Sequence, residues 1–190
     1  MKKNLAKKAL KYATIKHMGQ TRKNGEDYIN HPIRVAEHVS NYFSDDKDLE
    51  QLITAALLHD TLEDTNATYN DLASKFGLKV ANLVMELTND NIIKHRIGKT
   101  KYLQMKMLLM SNDAFNIKLC DRLDNTIDLD NAPLPFVKKY ITETLDIYAY
   151  LLNNRELTDT QRIIIEDTIL AIRQLKVSQN YSLKLDKFVC

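Results

Sequence analysis

Apolar residues recur at steps of three and four along most of this chain, the repeat that aligns one face of an α-helix. Ala6, Ala9, Leu10, Ala13 and His17 share such a face, with Lys7, Lys8, Lys11 and Lys16 largely elsewhere, so residues 3–18 are predicted as a first amphipathic helix. Gly19 and Gly25 break the repeat, and the polar stretch from 19 to 30 reads as a loop carrying Arg22, Lys23 and Glu26. His31 at an N-cap position and Pro32 at the first helical position then open a second helix, with Ile33, Val35, Ala36 and Val39 on its apolar side. A third is predicted from about residue 49 through Ala55-Ala56-Leu57-Leu58 to an end at 64–66.

Thr68 with Asp71 three residues on is a capping-box pattern with Asp in place of Glu, and Gly77 supplies the stop. Residues 78–88 predict the next helix, 89–98 read as polar and irregular, and helices over about 100–110 and 113–127 follow. After Pro133 and Pro135, two long patterns at 134–152 and 159–177, joined by a short polar link, predict an antiparallel pair. The expectation is an all-α, single-domain fold of about eight to ten helices over residues 1–177, with 178–190 a loose tail.

Composition agrees with this class. Four glycines and three prolines in 190 residues are too few for the tight turns of an all-β fold. Apolar residues at 44% and charged residues at 27% are those of an ordinary globular domain. Lys and Arg number 27 against 25 Asp and Glu, and the resulting +2 gives no bulk cationic field, so neither nucleic acid nor a membrane is expected as a partner. The basic N-terminus lacks the apolar run of a leader, and two cysteines, Cys120 and Cys190, suit a reducing cytoplasm.

The chemistry concentrates in two runs. In Ala55 to Thr65, a continuous helix would stack His59 over Glu63 and Asp60 over Asp64, roughly 6 Å apart. Carboxylates in the last turn of a helix oppose its macrodipole at about 0.3–1 kcal/mol each, a conflict that a nearby cation removes. The plainer alternative is a helix end emerging into solvent. In the second run, Ala114, Ile117, Asp121, Asn125 and Asp128 follow at steps of three or four, so an apolar face becomes a file of acceptors. Here the alternative is a helix laced by salt bridges from Arg122 to its acidic neighbours. Together His31, His59, Asp60 and Asp121 offer two imidazoles and two carboxylates from three segments. With no thiolate in that set, Mn²⁺ or Fe²⁺ with open positions is favoured over a structural zinc.

These segments resemble the HD-domain hydrolases of the RelA/SpoT homologue superfamily, in particular the stand-alone small alarmone hydrolases of the metazoan SpoT-homologue type. The matching stretches are His17 to Gly25, Tyr28 to Ala36, Ala55 to Thr65 and Ile117 to Asn125, with a weaker echo at Glu143 to Ala149. The resemblance implies that His31, His59, Asp60 and Asp121 bind one Mn²⁺ per chain, ahead of Fe²⁺ or Zn²⁺, and that Glu63 and Asp64 help to activate the attacking water. It implies that Arg22 packs on a purine base and that Asn125 orients the substrate at the metal; beside the resemblance, Lys23 is read as a basic residue able to receive phosphate, and Asp128, on the acceptor face, as a further substrate contact. His17 matches the motif without being a ligand and is read as a packed core residue; His38 and His95 are read as peripheral. The implied reaction is hydrolysis of the 3′-pyrophosphate of guanosine 3′,5′-bis(diphosphate), a small-molecule nucleotide, and the length implies a hydrolase without the family's synthetase. The alternatives are a related phosphohydrolase acting on an adenosine alarmone or on the 2′-phosphate of NADPH, and an inactive nucleotide-binding regulator.

Overall fold

The computed structural model describes residues 5–23 and 25–175; the tail expected at 178–190 lies outside them. The described residues form α1 (Leu5–Lys16), α2 (Asn30–Tyr42), α3 (Leu49–Leu58), α4 (Thr61–Asp64), α5 (Tyr69–Phe76), α6 (Leu78–Leu87), α7 (Asn91–Ile97), α8 (Lys99–Leu109), α9 (Asn112–Ile127), a 3₁₀ turn (Asp128–Asn131), α10 (Leu134–Asn154) and α11 (Asp159–Gln174). Extended pairing among them amounts to one isolated antiparallel bridge between Thr21 and Asp27. The fold is all-α, as the hydrophobic repeat predicts.

The chain divides into two compact units. One holds the described residues up to Asn89 together with Ser111–Asp121, the other Asp90–Met110 together with the described residues from Arg122 on. In the first, α3 packs against α1, α2 and α6. Ala55 and Ala56 are wholly buried and small enough to let those helices approach, while Leu52 and Leu58 fill the space between. Truncating either leucine to Ala is expected to cost about 2–5 kcal/mol. In the second unit α8 packs against α7 and α10. Ile141, Ile147 and Leu151 of α10 and Ile164 and Ile172 of α11 are wholly buried, and Tyr148 Oη lies 3.4 Å from Thr168 Oγ1. The Arg155 guanidinium donates to the carbonyls of Met107 and Leu108 at 2.9 and 2.8 Å, satisfying the C-terminal end of α8.

Three local expectations change. The second helix begins at Asn30, so His31 lies in its first turn instead of capping it. The Asn30 and His31 amides donate to Asp27 and Tyr28 carbonyls, a backbone turn that carries the helix back past Pro32, whose missing N–H is not needed there. The third helix stops at Leu58, and a turn at His59–Asp60 separates it from α4. Residues 91–97 form a helix where an irregular segment was expected, because the Asp90 side chain accepts from the amides of Ile92 and Ile93 and caps it. That helix buries none of its residues, which is why the apolar repeat does not reveal it. The Thr68–Asp71 capping box and the Gly77 stop are present as read.

Candidate metal centre

Within the first unit, three separated pieces of chain bring polar side chains together: His31 from α2, His59 and Asp60 from the α3–α4 turn, and Asp121 from α9. His31 Nε2 lies 3.2 Å from Asp121 Oδ1, which lies 3.7 Å from His59 Nε2. His59 Nε2 is 2.9 Å from Asp60 Oδ2, and that oxygen is 3.8 Å from His31 Nε2. The four atoms close a ring of alternating nitrogen and oxygen. Neighbouring ligands bound at about 2.0–2.2 Å to a common ion stand roughly 3.0–3.5 Å apart, and the ring has that scale. His31, His59 and Asp121 are buried, whereas the Asp60 side chain keeps 20% of its exposure.

The His59 ring is oriented for such a role. Its Nδ1 lies 2.7 Å from the Ala56 carbonyl, a pairing that puts a proton on Nδ1 and leaves the Nε2 lone pair available. Nε2 is buried and has no hydrogen-bond partner among the described residues; its contacts are ionic, with Asp60 Oδ2 at 2.9 Å and Asp121 Oδ1 at 3.7 Å. A buried, unbonded imidazole nitrogen between two carboxylates is the chemistry a divalent cation satisfies, and the residues fit one.

Charge in the cluster is strongly coupled. Burial alone would lower the His59 pKa, but the Asp60 carboxylate, helped by Asp121, raises it to about 9. Burial likewise opposes ionisation of Asp60 and Asp121, yet both are held well below the usual carboxylate range, Asp60 chiefly by His59 and Asp121 chiefly by Lys118. Lys118 Nζ sits 2.6 Å from Asp121 Oδ2. Tyr28 Oη donates to Asp60 Oδ2 at 2.5 Å and lies 3.3 Å from Asp64 Oδ2. Burial and the charge of Asp60 push this phenol far up, so it remains a donor.

Glu63 and Asp64 are the last two residues of the single-turn α4 rather than the end of a long helix, so little macrodipole builds up behind them. The Glu63 carboxylate accepts from the Asn89 amide at 3.0 Å and from Asn89 Nδ2 at 2.9 and 3.2 Å. Partial burial, with the charges of Asp60 and Glu63, raises the Asp64 pKa. Arg22 and Lys23 lie in a tight reversal: the Arg22 amide donates to Glu26, the Gly25 amide donates back to Arg22, and Gly25 takes φ +88°. Gln20, at the base of that loop, donates to the Asp64 carbonyl at 2.8 Å and ties the loop to α4. Asn125 and Asp128 belong to the other unit, in the last turn of α9 and in the 3₁₀ turn. Arg122 reaches Glu143 and Thr144 on α10, at 3.3 and 2.7 Å. His17 is buried, with Nδ1 2.8 Å from Gln20 Oε1 and its ring 4.8 Å from that of Tyr28, a packed residue as read.

Sequence reasoning passed over Tyr28, Lys118 and Asn89. Lys118 carried a signal, lying three residues before Asp121 on α9 and hence on its side of the helix, whereas Tyr28 precedes α2 and meets Asp60 across 32 residues of chain. Asn89 carried none, since it meets Glu63 across 26 residues of chain.

A family profile described as HD domain matches residues 9–157. The chain is 39% identical over 146 residues, 76% of its length and 20% of the other's, to a guanosine-3′,5′-bis(diphosphate) 3′-pyrophosphohydrolase of Aquifex aeolicus (strain VF5). It is 38% identical over 140 residues, 71% of this chain and 19% of the other, to the bifunctional (p)ppGpp synthase/hydrolase SpoT of Escherichia coli (strain K12). It thus spans about a fifth of the length of the curated relatives it matches. A solved structure described as a metazoan ortholog of SpoT that hydrolyses ppGpp superposes with a TM-score of 0.62 at 28% identity, covering 97% of this chain and 93% of that one. With the matched profile extending over both the His31 and Asp121 segments, the chain belongs to the HD-domain family.

Proposed function

We propose that this chain is a Mn²⁺-dependent hydrolase that removes the 3′-pyrophosphate of guanosine 3′,5′-bis(diphosphate) and of its pentaphosphate, giving GDP or GTP and pyrophosphate. The observation that carries the reading is the alternating ring of His31, Asp121, His59 and Asp60, with His59 Nε2 buried and unbonded within it. The activities named for the Aquifex protein and the metazoan ortholog support the choice of substrate. Nitrogen and oxygen donors without a thiolate suit Mn²⁺. When bound, the ion supplies Lewis-acid charge that acidifies water and neutralises the diphosphate.

The remaining steps belong to the chain's own groups. His31, His59, Asp60 and Asp121 hold the ion. Glu63 takes the proton of the attacking water as its oxygen bonds to the phosphorus next to the 3′ oxygen. As the bond from that phosphorus to the 3′ oxygen breaks, Asp64 holds the attacking water in line and the leaving oxygen takes up a proton from solvent. Arg22 stacks on the purine and Lys23 meets phosphate. A cytoplasmic setting goes with this reading, and Cys120 as a buried free thiol suits it.

The test is metal analysis of purified protein beside a hydrolysis panel with added Mn²⁺: both guanosine alarmones, the adenosine counterpart and NADPH. We expect one ion per chain and release of pyrophosphate with GDP or GTP. Phosphate release from NADPH with the alarmones untouched would overturn the substrate, and a fully metallated protein that turns over nothing would overturn the reaction.

A further inference from the structure

Asn89 follows α6 directly, where Thr88 leaves the helix with extended dihedrals (φ −62°, ψ 130°) and the chain can no longer continue the helical ladder. Its amide is thereby turned toward α4 rather than back along α6. The main-chain N–H donates to Glu63 Oε2 at 3.0 Å, and the side-chain Nδ2 reaches Oε2 at 2.9 Å and Oε1 at 3.2 Å. One residue therefore supplies three donor contacts to both oxygens of one carboxylate. A charged acceptor makes such bonds stronger than neutral ones, and contact with both oxygens fixes the plane of the carboxylate as well as its position.

The orientation of the carboxamide is not arbitrary. Turned over, it would set its own oxygen against the Glu63 carboxylate, so the NH₂ must face Glu63. The cost is visible on the other side, where Asn89 Oδ1 is buried without a hydrogen-bond partner among the described residues. Fold stability alone gives no reason to bury an unsatisfied amide oxygen, and such an atom in a native structure calls for a reason. Holding Glu63 supplies one.

We infer that Asn89 is a positioning residue that clamps the Glu63 carboxylate in its working orientation for proton transfer. The inference rests on the proposed role of Glu63. The clamp acts only through Glu63, so its loss should lower kcat with KM and bound metal unchanged. Loss of a supporting hydrogen bond behind a reacting group typically lowers activity about 10–100-fold.

Two cycles test this. In the kinetic one, Asn89→Ala should lower kcat about 10-fold or more, Glu63→Gln about 10²-fold or more, and the double variant no further than Glu63→Gln alone, since both act through one carboxylate. Multiplying losses would overturn the clamp. In the unfolding one, Asn89→Asp sets carboxylate against carboxylate and should lower Tm. Adding Glu63→Gln supplies an NH₂ on α4 that donates to the introduced carboxylate and should restore Tm, because the bond is rebuilt with its polarity reversed. No recovery in Glu63→Gln/Asn89→Asp would overturn the contact itself. The unfolding cycle needs no turnover. A wild-type chain that hydrolyses nothing would therefore sink the proposed reaction, while Tm alone decides whether Asn89 holds Glu63.

Discussion

In the metal-free protein His59 is held protonated up to about pH 9, since Asp60 and Asp121 outweigh the burial that opposes its charge. Nε2, the atom offered to an ion, carries that proton, so ion and proton compete for one lone pair. At pH 7 the proton must be displaced from a group with a pKa of about 9, and each pH unit between them is a factor of ten. The displacement weakens the apparent affinity about 100-fold relative to the fully deprotonated site, on the order of 3 kcal/mol. Affinity should rise nearly tenfold per pH unit from pH 7 and level off above about 9. Calorimetry at pH 7.5 in buffers of unequal ionisation heat should find about one proton released per Mn²⁺ bound. The stability of the metal-free fold runs the other way. His59 has a folded pKa raised above the unfolded value of about 6.5, so its contribution is complete below that value and is lost as pH rises through about 9. The shift corresponds to a loss on the order of 3 kcal/mol. Asp60 and Asp121 are depressed, so their contribution is present above about pH 3.9 and is lost only as pH falls below it, which separates the two windows. No proton release at pH 7.5, or a metal-free protein as stable at pH 9.5 as at pH 6, would refute the reasoning.

Asp60→Ala should abolish metal retention and turnover while circular dichroism shows an intact helical fold; wild-type activity at limiting Mn²⁺ would remove Asp60 from the ligand set. Tyr28→Phe deletes the donor on Asp60 without changing shape, and should weaken Mn²⁺ binding about 10–100-fold by titration with kcat at saturating metal less affected. Unchanged affinity would show that the phenol only packs against His17 and His31. Arg22→Ala should reduce kcat/KM for guanosine and adenosine alarmones by similar factors, about 1–3 kcal/mol, with metal content unchanged. Arg22→Lys should recover only part of it, and full recovery would mean that Arg22 meets a phosphate instead of a base.

The all-α class, most helix positions and the four ring residues were legible because each rests on a local pattern. The apolar repeat marks α1, α2, α3 and α6, and the pairing of His or Asp with a buried helical face marks the ring. What was not legible depends on side chains meeting backbone across the fold. The α7 helix is specified by one Asp90 cap and a Gly98 stop with no buried face behind them. The start of α2 is set by amides of Asn30 and His31 finding carbonyls in the preceding turn, which outweighs the N-cap preference read at His31. Asn89 reaches Glu63 only because α6 happens to end beside α4, and a partner of that kind leaves no periodic trace.

The break between α3 and α4 is what makes adjacent His59 and Asp60 usable together. On an unbroken helix neighbours diverge by about 100° around the axis, and side chains one turn apart, not adjacent ones, share a face. Here His59 stays helical (φ −56°, ψ −33°), but Asp60 moves to φ −99°, ψ −4°, and the chain bends at that residue. With the bend, Asp60 Oδ2 comes within 2.9 Å of His59 Nε2. Bending a buried helix exposes carbonyls to loss of their usual amide partners, and the local sequence answers this with side chains. His59 Nδ1 takes the Ala56 carbonyl at 2.7 Å, and Thr61 Oγ1 takes that of Leu58 at 2.7 Å. The same His59 bond that satisfies the broken helix also fixes the tautomer that leaves Nε2 for a ligand. Backbone accounting and ligand chemistry are therefore met by one imidazole, while the Thr61 hydroxyl serves the backbone alone.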